Sequence, residues 1–217
     1  MTTLYLLRHG AIDRSKADCF IGQTDPPLSP EGRLQAFSWR KELQNVAFTA
    51  AWASDLKRTT ETAGIIFEER VKCVKTSKQL REIHLGEWDG VPRDHVRKVH
   101  ADLWRARGKN LAEFKPPGGE SFRELQKRVV SQVMRIATDS SGKVCIVTHA
   151  GVIRVLICHF LQIPLSNLLR LRLDYGSLSL VSYRPERVEM CALNLKPSSY
   201  SCPPVGEFGD QHESAQV

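Results

Sequence analysis

The feature that most constrains this chain is a short apolar run near its start that ends in a cation, an imidazole and a glycine. The run covers residues 4–7, and Arg8, His9 and Gly10 follow it directly. Such a run predicts a buried strand, and the glycine allows the backbone to turn sharply as it leaves the sheet. Arg8 and His9 are then expected at the carboxyl end of that strand, the edge where open α/β sheets bind ligands. A guanidinium beside an imidazole there indicates a site that holds and attacks an anionic group.

A second stretch repeats this design later in the chain. Residues 143–147 predict an apolar strand, which leads through Thr148 to His149 and then to an apolar helix over residues 152–161. In an α/β sheet with parallel strands, the carboxyl ends of the strands meet at one edge. The sequence therefore predicts that two histidines, His9 and His149, reach the same edge of one sheet.

A helix is expected soon after the first histidine. Ser29 is a good N-cap residue, and Pro30 suits the first helical position. The helix is predicted to run to about Leu43 on the apolar positions Leu34, Phe37 and Leu43. The long polar segment before it is expected to be a functional loop.

A short strand and a second helix are predicted next. The strand is expected at residues 49–53 and the helix at residues 56–69, with Ser54 and Asp55 as its cap. Arg58 then falls in the first helical turn. A cation is unfavourable there for the helix dipole, so a bound anion is the simpler explanation for its presence.

The remaining segments alternate between loops, helices and strands. We expect a strand at 71–74, a loop at 80–90, helices at 93–107 and 121–138, and strands at 168–173, 177–183 and 187–193. Residues 1–194 are expected to form a single α/β domain. Residues 195–217 have almost no apolar pattern, so we predict a mobile tail.

Composition narrows the class of protein. The chain has 217 residues, 41% hydrophobic and 25% charged, as in an ordinary globular enzyme. No apolar run approaches the roughly twenty residues that cross a bilayer, and Arg8 and His9 interrupt the only apolar segment near the start. We therefore expect a cytoplasmic enzyme with no membrane partner. An amphipathic helix face leaves a homodimer open.

The formal net charge of +7 favours an anionic partner. Since no basic block is interleaved with aromatic residues, a phosphorylated small molecule is favoured over nucleic acid. The six cysteines are scattered without a C-x-x-C pair, and His84, His95 and His100 have no further ligands at zinc spacing. The sequence therefore predicts neither a metal site nor a cofactor.

The residues that carry chemistry point to phosphoryl transfer. Arginine pairs bidentately with phosphate oxygens, and an unprotonated imidazole attacks phosphorus as a covalent nucleophile. A carboxylic acid such as Glu82 would donate a proton to the leaving oxygen. Glu87 in the same loop is the alternative acid.

The chain resembles the histidine phosphatase superfamily, in its phosphoglycerate mutase-like branch, through motifs that occur in the family's order across about residues 2–185. These motifs are Leu7-Arg8-His9-Gly10, residues 22–32 (Gly-Gln-Thr-Asp-Pro-Pro-Leu-Ser-Pro-Glu-Gly), residues 54–59, Leu80-Arg81-Glu82, residues 117–121 and Val147-Thr148-His149-Ala150-Gly151.

The resemblance implies a three-layer α/β/α sandwich with a mostly parallel sheet and a metal-independent phosphatase reaction through a phosphohistidine on His9. It assigns phosphate binding to Arg8, Arg58 and His149, with Glu82 as the proton donor and then the base for water. It also suggests that Gln23 and Thr24 reach the bound phosphate.

Within the superfamily, the loops at residues 22–25 and 80–90 are similar to those of alpha-ribazole phosphatases, which implies alpha-ribazole 5'-phosphate as a substrate. Mutases usually carry Ser or Thr and a Trp-Asn pair where this chain has Ile12, Arg14 and Ser15. A phosphoglycerate mutase is the nearest alternative. A phosphate-binding or interaction module without turnover is a third alternative, against which the set of nucleophile and acid argues.

Overall fold

The structure, a computed structural model, describes residues 1–13, 18–68 and 74–198. Within these ranges one sheet of six strands has the order β3-β2-β4-β1-β5-β6. The strands are β1 Thr2–Arg8, β2 Phe48–Ala53, β3 Lys75–Thr76, β4 Gly142–Thr148, β5 Leu178–Arg184 and β6 Arg187–Leu195. β1, β2, β3 and β4 pair in parallel, whereas β5 is antiparallel to both β1 and β6. The predicted α/β class with a mostly parallel sheet is confirmed.

Helices cover both faces of this sheet. They are α1 Pro30–Glu42, α2 Lys57–Phe67, α3 Arg93–Val99, α4 Ala101–Lys109, α5 Phe122–Thr138 and α6 Ala150–Phe160. Alternate residues of β1 point to opposite faces, as a pleated strand requires. Leu4 and Leu6 pack in the core under α5 and α6, while Leu7 packs in the core under α1 and α2. The three-layer α/β/α arrangement follows from this two-sided burial.

The order of the central strands brings the segments that follow β1, β2 and β4 to one edge of the sheet. β4 lies between β1 and β2, with Arg8 paired to Thr148 and Ala53 paired to Val147. All three strands are parallel, so the residues that follow them emerge side by side. Ser54 continues this edge by donating its N–H to the Val147 carbonyl at 3.1 Å.

The start of α1 agrees with the sequence, but its buried face does not. Ser29 accepts a hydrogen bond from the Gly32 N–H at 3.1 Å, as an N-cap residue should. Leu34 and Phe37, predicted as core positions, are 62% and 44% exposed, whereas Ala36 and Trp39 are buried. The prediction of these two positions is wrong because α1 buries the face that carries Gln35, Ala36 and Trp39. The third predicted apolar position, Leu43, is buried.

Two glycines allow the loop after β1 to lie close to α1. A Cβ on Gly10 would overlap the backbone of Gly32, and a Cβ on Gly32 would overlap the backbone of Ala11. The loop that leaves β1 therefore lies directly against the first turn of α1. This contact fixes the backbone immediately after His9.

Several predicted elements need correction. Residues 168–173 were predicted as a strand, but Leu165–Arg170 is a 3-10 helix that buries Leu165 and Leu168, three residues apart. Alternation of leucine and arginine cannot distinguish these two periods over so short a run. The predicted helix at 93–107 is two helices with a break at His100, where φ is −118°.

Some of the predicted segments lie wholly or partly outside the described residues. The strand predicted at 71–74 lies mostly outside the described residues, as do Arg14 and Ser15. β6 continues through Leu195, one residue beyond the predicted end of the domain. Of residues 195–217, predicted as a mobile tail, residues 199–217 lie outside the described residues.

Candidate active site

The two predicted histidines meet at the carboxyl edge of the sheet. His9 follows β1 and donates its backbone N–H to the Thr148 carbonyl at 2.9 Å, while His149 follows β4 as the residue before α6. The centroids of the two imidazole rings are 5.2 Å apart, and their planes make an angle of 64°. Both side chains are buried.

A hydrogen bond to the backbone selects the form of the His9 imidazole. Its Nδ1 atom lies 2.8 Å from the Gly10 carbonyl oxygen. A carbonyl only accepts, so Nδ1 carries the proton and the lone pair is on Nε2. This is the form in which Nε2 acts as a nucleophile.

Burial keeps both imidazoles neutral. It lowers the pKa of His9 well below its ordinary value, and the positive charges of Arg58 and Arg8 lower this pKa further. Burial likewise lowers the pKa of His149 well below its ordinary value, with Arg58 as the next cause. A cluster of cations around two uncharged imidazoles is suited to an anionic ligand.

Arg58 is delivered by the first turn of α2, as the sequence predicts, and is 1% exposed. Its Nη1 donates to the Thr24 carbonyl at 2.8 Å, and its Nη2 donates to the Gly22 carbonyl at 2.6 Å. The guanidinium is thus held by the loop between β1 and α1. Its Nε atom is buried and has no hydrogen-bond partner among the described residues.

The cap of α2 differs from the prediction. Asp25 accepts a hydrogen bond from the Lys57 N–H at 2.6 Å, and its carboxylate also lies 3.3 Å from Arg58 Nη1. The predicted cap residue Asp55 instead forms a two-pronged ion pair with Arg81, at 2.7 and 2.6 Å. A carboxylate from a distant loop therefore supplies the negative charge at the helix N-terminus.

Gln23 and Thr24 lie on the loop that holds Arg58. The backbone N–H groups of Gly22, Gln23 and Thr24 donate to the Asp89 carboxylate at 2.8, 2.7 and 2.7 Å. The Gln23 side chain bonds Arg81 and the Glu82 carbonyl, both at 3.3 Å, and Thr24 is exposed. Their backbone N–H groups and the Gln23 amide are engaged with the protein. Direct phosphate binding by these two residues stays a prediction.

Glu82 is buried and faces the start of α6. Its Oε2 accepts from the Gly151 N–H at 3.0 Å, and its Oε1 accepts from the Ile83 N–H at 2.9 Å. The alternative acid, Glu87, is exposed in the 3-10 helix Gly86–Trp88. Of the two carboxylates, Glu82 is therefore the one that is buried against Gly151, two residues after His149.

A charged clamp that was not predicted from the sequence holds the Glu82 loop. Arg128 on α5 forms a two-pronged ion pair with Glu120, at 3.0 and 2.5 Å. It also donates to the carbonyls of Gln79 and Glu82 at 2.8 and 3.1 Å. Glu120 lies within the quoted motif at residues 117–121, and that motif is the signal that points to this clamp.

Arg8 completes the cationic side of the site. Its Nη1 donates to the Leu173 carbonyl at 2.6 Å, and the Tyr175 ring stacks on its guanidinium. Burial lowers the pKa of Arg8, an effect opposed by Tyr175, Glu82 and Asp174. No sequence motif marked Tyr175, because it reaches the site only through the pairing of β5 with β1.

Buried hydrogen-bond donors without a protein partner converge here. At this edge, the unpartnered buried atoms of the described residues include Arg8 Nε, Arg58 Nε and the two ring nitrogens of His149, of which a neutral imidazole donates through only one. An unpaired buried donor costs free energy, so natural structures rarely keep several together without an occupant. A tetrahedral anion with several acceptor oxygens would satisfy the N–H donors of Arg8, Arg58 and His149.

In ranges 1–13, 18–68 and 74–198, no group of three His, Cys, Asp or Glu side chains is arranged to hold a metal ion. Over the same ranges, no helix has the length and apolar character needed to span a membrane.

The fold and the site define the class of this protein: an α/β enzyme with two histidines at the ends of neighbouring strands and arginines beside them. Its similarity to known proteins gives the family. The model of the histidine phosphatase superfamily, branch 1, matches residues 4–196. The chain therefore belongs to this superfamily. The expected phosphoglycerate mutase-like fold and histidine phosphatase class are confirmed.

Three similar proteins illustrate the range of the family. The crystal structure of the alpha-ribazole phosphatase from Shigella flexneri has a TM-score of 0.82 and 25% identity, covering 89% of this chain and 96% of that one. The mycobacterial glucosyl-3-phosphoglycerate phosphatase, solved with VO3, has a TM-score of 0.80 and 28% identity, covering 89% and 99%. The probable phosphoglycerate mutase GpmB of Yersinia pestis is 33% identical over 85% of this chain and 86% of its own length.

Proposed function

We propose that this protein is a metal-independent phosphomonoesterase that works through a phosphohistidine on His9. The observation that carries the proposal is the convergence of unpartnered buried donors, on Arg8, Arg58 and His149, beside the free lone pair of His9 Nε2. A phosphoryl group among these donors would have its oxygens neutralised while its phosphorus faces the nucleophile.

In the first step, the Nε2 lone pair of His9 forms a bond to phosphorus and the bond from phosphorus to the ester oxygen breaks. The leaving oxygen takes a proton from Glu82. Each Glu82 oxygen accepts one backbone N–H and so keeps a second lone pair on which a proton can reside.

In the second step, a water molecule attacks the phosphohistidine and gives its proton to Glu82, while the nitrogen–phosphorus bond breaks. Inorganic phosphate leaves, and His9 regains its free Nε2. The neutral state of both histidines supports this cycle, because a protonated nucleophile could not attack.

Alpha-ribazole 5'-phosphate is the substrate we propose first. The support is the similarity to the Shigella flexneri alpha-ribazole phosphatase together with the loops at residues 22–25 and 80–90. The second candidate function is phosphoglycerate mutase, which the 33% identity to the probable mutase GpmB favours. The two differ in whether the phosphoryl group passes to water or returns to a sugar acid.

The decisive experiment is phosphate release from a panel of phosphomonoesters in the presence of a chelator. The panel holds alpha-ribazole phosphate, 3-phosphoglycerate and a chromogenic aryl phosphate. We expect release to survive chelation and to fall at least about a thousandfold in His9→Ala. The matched control His95→Ala removes an exposed imidazole on α3 and should keep full activity.

Other outcomes would reject the proposal. Interconversion of phosphoglycerates without phosphate release would establish the mutase. Binding of phosphate with neither reaction would indicate a module without turnover. Retained hydrolysis in His9→Ala would show that a different group attacks phosphorus.

A further inference from the structure

Tyr175 lies against Arg8 and His9, the first two residues of the proposed site along the chain. Its ring centroid is 3.6 Å from Cζ of Arg8 and 5.5 Å from the centroid of the His9 ring. At 3.6 Å the guanidinium is in direct contact with the aromatic face. A cation attracted to the face of a ring is held more strongly when both are shielded from water.

The turn that carries Tyr175 is bonded to the catalytic edge on both sides of the ring. The Arg8 N–H donates to the Ser177 carbonyl at 2.9 Å, and the Gly176 N–H donates to the His9 carbonyl at 3.0 Å. Arg8 Nη1 donates to the Leu173 carbonyl at 2.6 Å. Residues 173–177 therefore follow any movement of Arg8 and His9.

The same turn is anchored from the opposite direction. The indole N–H of Trp39 on α1 donates to the Gly176 carbonyl at 2.5 Å. Gly176 has a φ of +63°, and a Cβ there would press on the Gln35 side chain. The Asp174 N–H donates to Asn194 Oδ1 on β6 at 2.7 Å. Tyr175 is thus presented by a turn that is itself fixed by α1 and β6.

We infer that Tyr175 is a positioning residue that fixes the Arg8 guanidinium so that its Nε points at the phosphoryl group. This inference rests on the proposed function, since it assumes that Arg8 binds phosphate. The guanidinium is planar: Leu173 fixes one nitrogen, and the Tyr175 ring fixes its plane. The Nε edge, which has no protein partner among the described residues, then has one orientation.

The proposed role belongs to the aromatic face, which lies 3.6 Å from Arg8 Cζ; the interaction of the Tyr175 hydroxyl with Arg8 only partly offsets the effect of burial on the pKa of Arg8. A ring without the hydroxyl still offers its negative face to the cation, whereas a flexible side chain of similar volume does not. Tyr175→Phe and Tyr175→Met therefore separate positioning from simple filling of space. Tyr5→Met is the matched control, since Tyr5 is a partly buried aromatic residue on β1 that packs edge-on against Phe48.

The experiment measures kcat, KM and inhibition by orthovanadate, a phosphate-like probe, in the full chain. We expect Tyr175→Phe to stay within about threefold of the parent, and Tyr175→Met to lower kcat and vanadate affinity about 30-fold each. Tyr5→Met should leave both values unchanged at a comparable loss of thermal stability. Vanadate affinity would not respond to a residue that only supports the fold.

A double-mutant cycle with Arg8→Met tests whether Tyr175 acts through Arg8. In the Arg8→Met background, Tyr175→Met should weaken vanadate binding by less than about threefold, because there is no guanidinium left to position. Independent, multiplying effects would overturn the inference, and so would a Tyr175→Met protein with parental kcat and vanadate affinity. If Tyr175→Met does not fold, a Tyr175→Phe protein with a 30-fold loss overturns it equally. Failure of the proposed function would appear separately, as activity that survives His9→Ala.

Discussion

The backbone N–H of Gly151 donates to Oε2 of Glu82 at 3.0 Å, and the absence of a side chain on Gly151 leaves the space that this carboxylate occupies. A Cβ on Gly151 would overlap Oε1 of Glu82. The start of α6 and the acid of the proposed reaction are therefore fitted to each other. His149, the residue that precedes α6, is positioned by the same turn.

Gly151→Ala should displace the Glu82 carboxylate and lower kcat about a hundredfold, the usual size of a general-acid contribution. The loss should be larger for an alkyl phosphate than for an aryl phosphate, whose leaving oxygen needs less protonation. Parallel kinetics on both esters measure this difference.

Gly64→Ala is the control for that substitution. Gly64 lies inside α2 with open space where its Cβ would be, so alanine should stabilise the protein by about 1 kcal/mol and leave kcat unchanged. Equal losses of kcat on the two esters in Gly151→Ala would contradict a role of Glu82 in protonating the leaving group.

The free energy of unfolding should decrease as the pH falls, because His9 and His149 are held neutral in the folded protein. The pKa of each is lowered well below the ordinary value of 6.5. Below pH 6.5 the unfolded chain therefore binds protons that the folded chain does not. The contribution is constant above pH 6.5 and is lost as pH falls, by about 1.4 kcal/mol per pH unit for each histidine.

Urea unfolding at pH 7.5 and 5.5 measures this linkage. His149→Gln should reduce the stability difference between the two pH values by about 1.4 kcal/mol. His95→Gln, which removes an exposed imidazole, should leave the difference unchanged. A His149→Gln protein with the parental pH dependence would show that His149 titrates normally in the folded state.

Residues that follow a strand were predictable, because strand order and direction dictate where they emerge. His9 and His149 directly follow β1 and β4, so an apolar run ending in a polar group predicted their place, whereas Arg58 was predicted from its position in the first turn of the helix after β2. Glu82 was harder, since it lies in a loop where spacing does not distinguish it from Glu87. Burial makes that distinction in the structure.

Contacts between distant segments were not predictable from local patterns. Asp25 caps α2 from 32 residues away, although Asp55 stands at the position where a local cap belongs. Tyr175 contacts Arg8 only because β5 pairs antiparallel with β1. Local sequence rules cannot choose between a near and a distant carboxylate of equal chemistry, because the choice depends on tertiary packing.

Asp89→Asn should loosen the Arg58 guanidinium indirectly, through the loop at residues 22–24. The Asp89 carboxylate accepts three successive backbone N–H groups from residues 22–24, and the carbonyls of Gly22 and Thr24 hold the Arg58 guanidinium. An amide presents donors to part of this cradle and leaves an N–H unpaired. We expect a loss of about 1–3 kcal/mol in the free energy of unfolding.

The same substitution should weaken inhibition by orthovanadate about tenfold, because Arg58 would no longer be held rigidly toward the anion. Asp94→Asn on α3, where the carboxylate is 73% exposed, is the control and should change neither quantity. Parental vanadate affinity in a destabilised Asp89→Asn protein would separate the loop from phosphate binding.

Arg128→Met should lower kcat through Glu82, although Arg128 lies on α5 behind the loop. The guanidinium joins Glu120 to the carbonyls of Gln79 and Glu82, so its removal frees the loop and leaves the Glu120 carboxylate without its cation. We expect kcat to fall about tenfold, with the alkyl ester affected more than the aryl ester. Arg123→Met is the control on the same helix, since the Arg123–Glu113 ion pair is half exposed and worth no more than about 1 kcal/mol.

A double substitution distinguishes orientation of Glu82 from a general loss of stability. Glu120→Gln removes the uncompensated charge that Arg128→Met creates, so the double variant should regain part of the lost stability. It should not regain kcat, because the carbonyls of Gln79 and Glu82 still lack their donor. If kcat recovers together with stability, Arg128 supports only the fold. If stability recovers alone, Arg128 orients the proton donor.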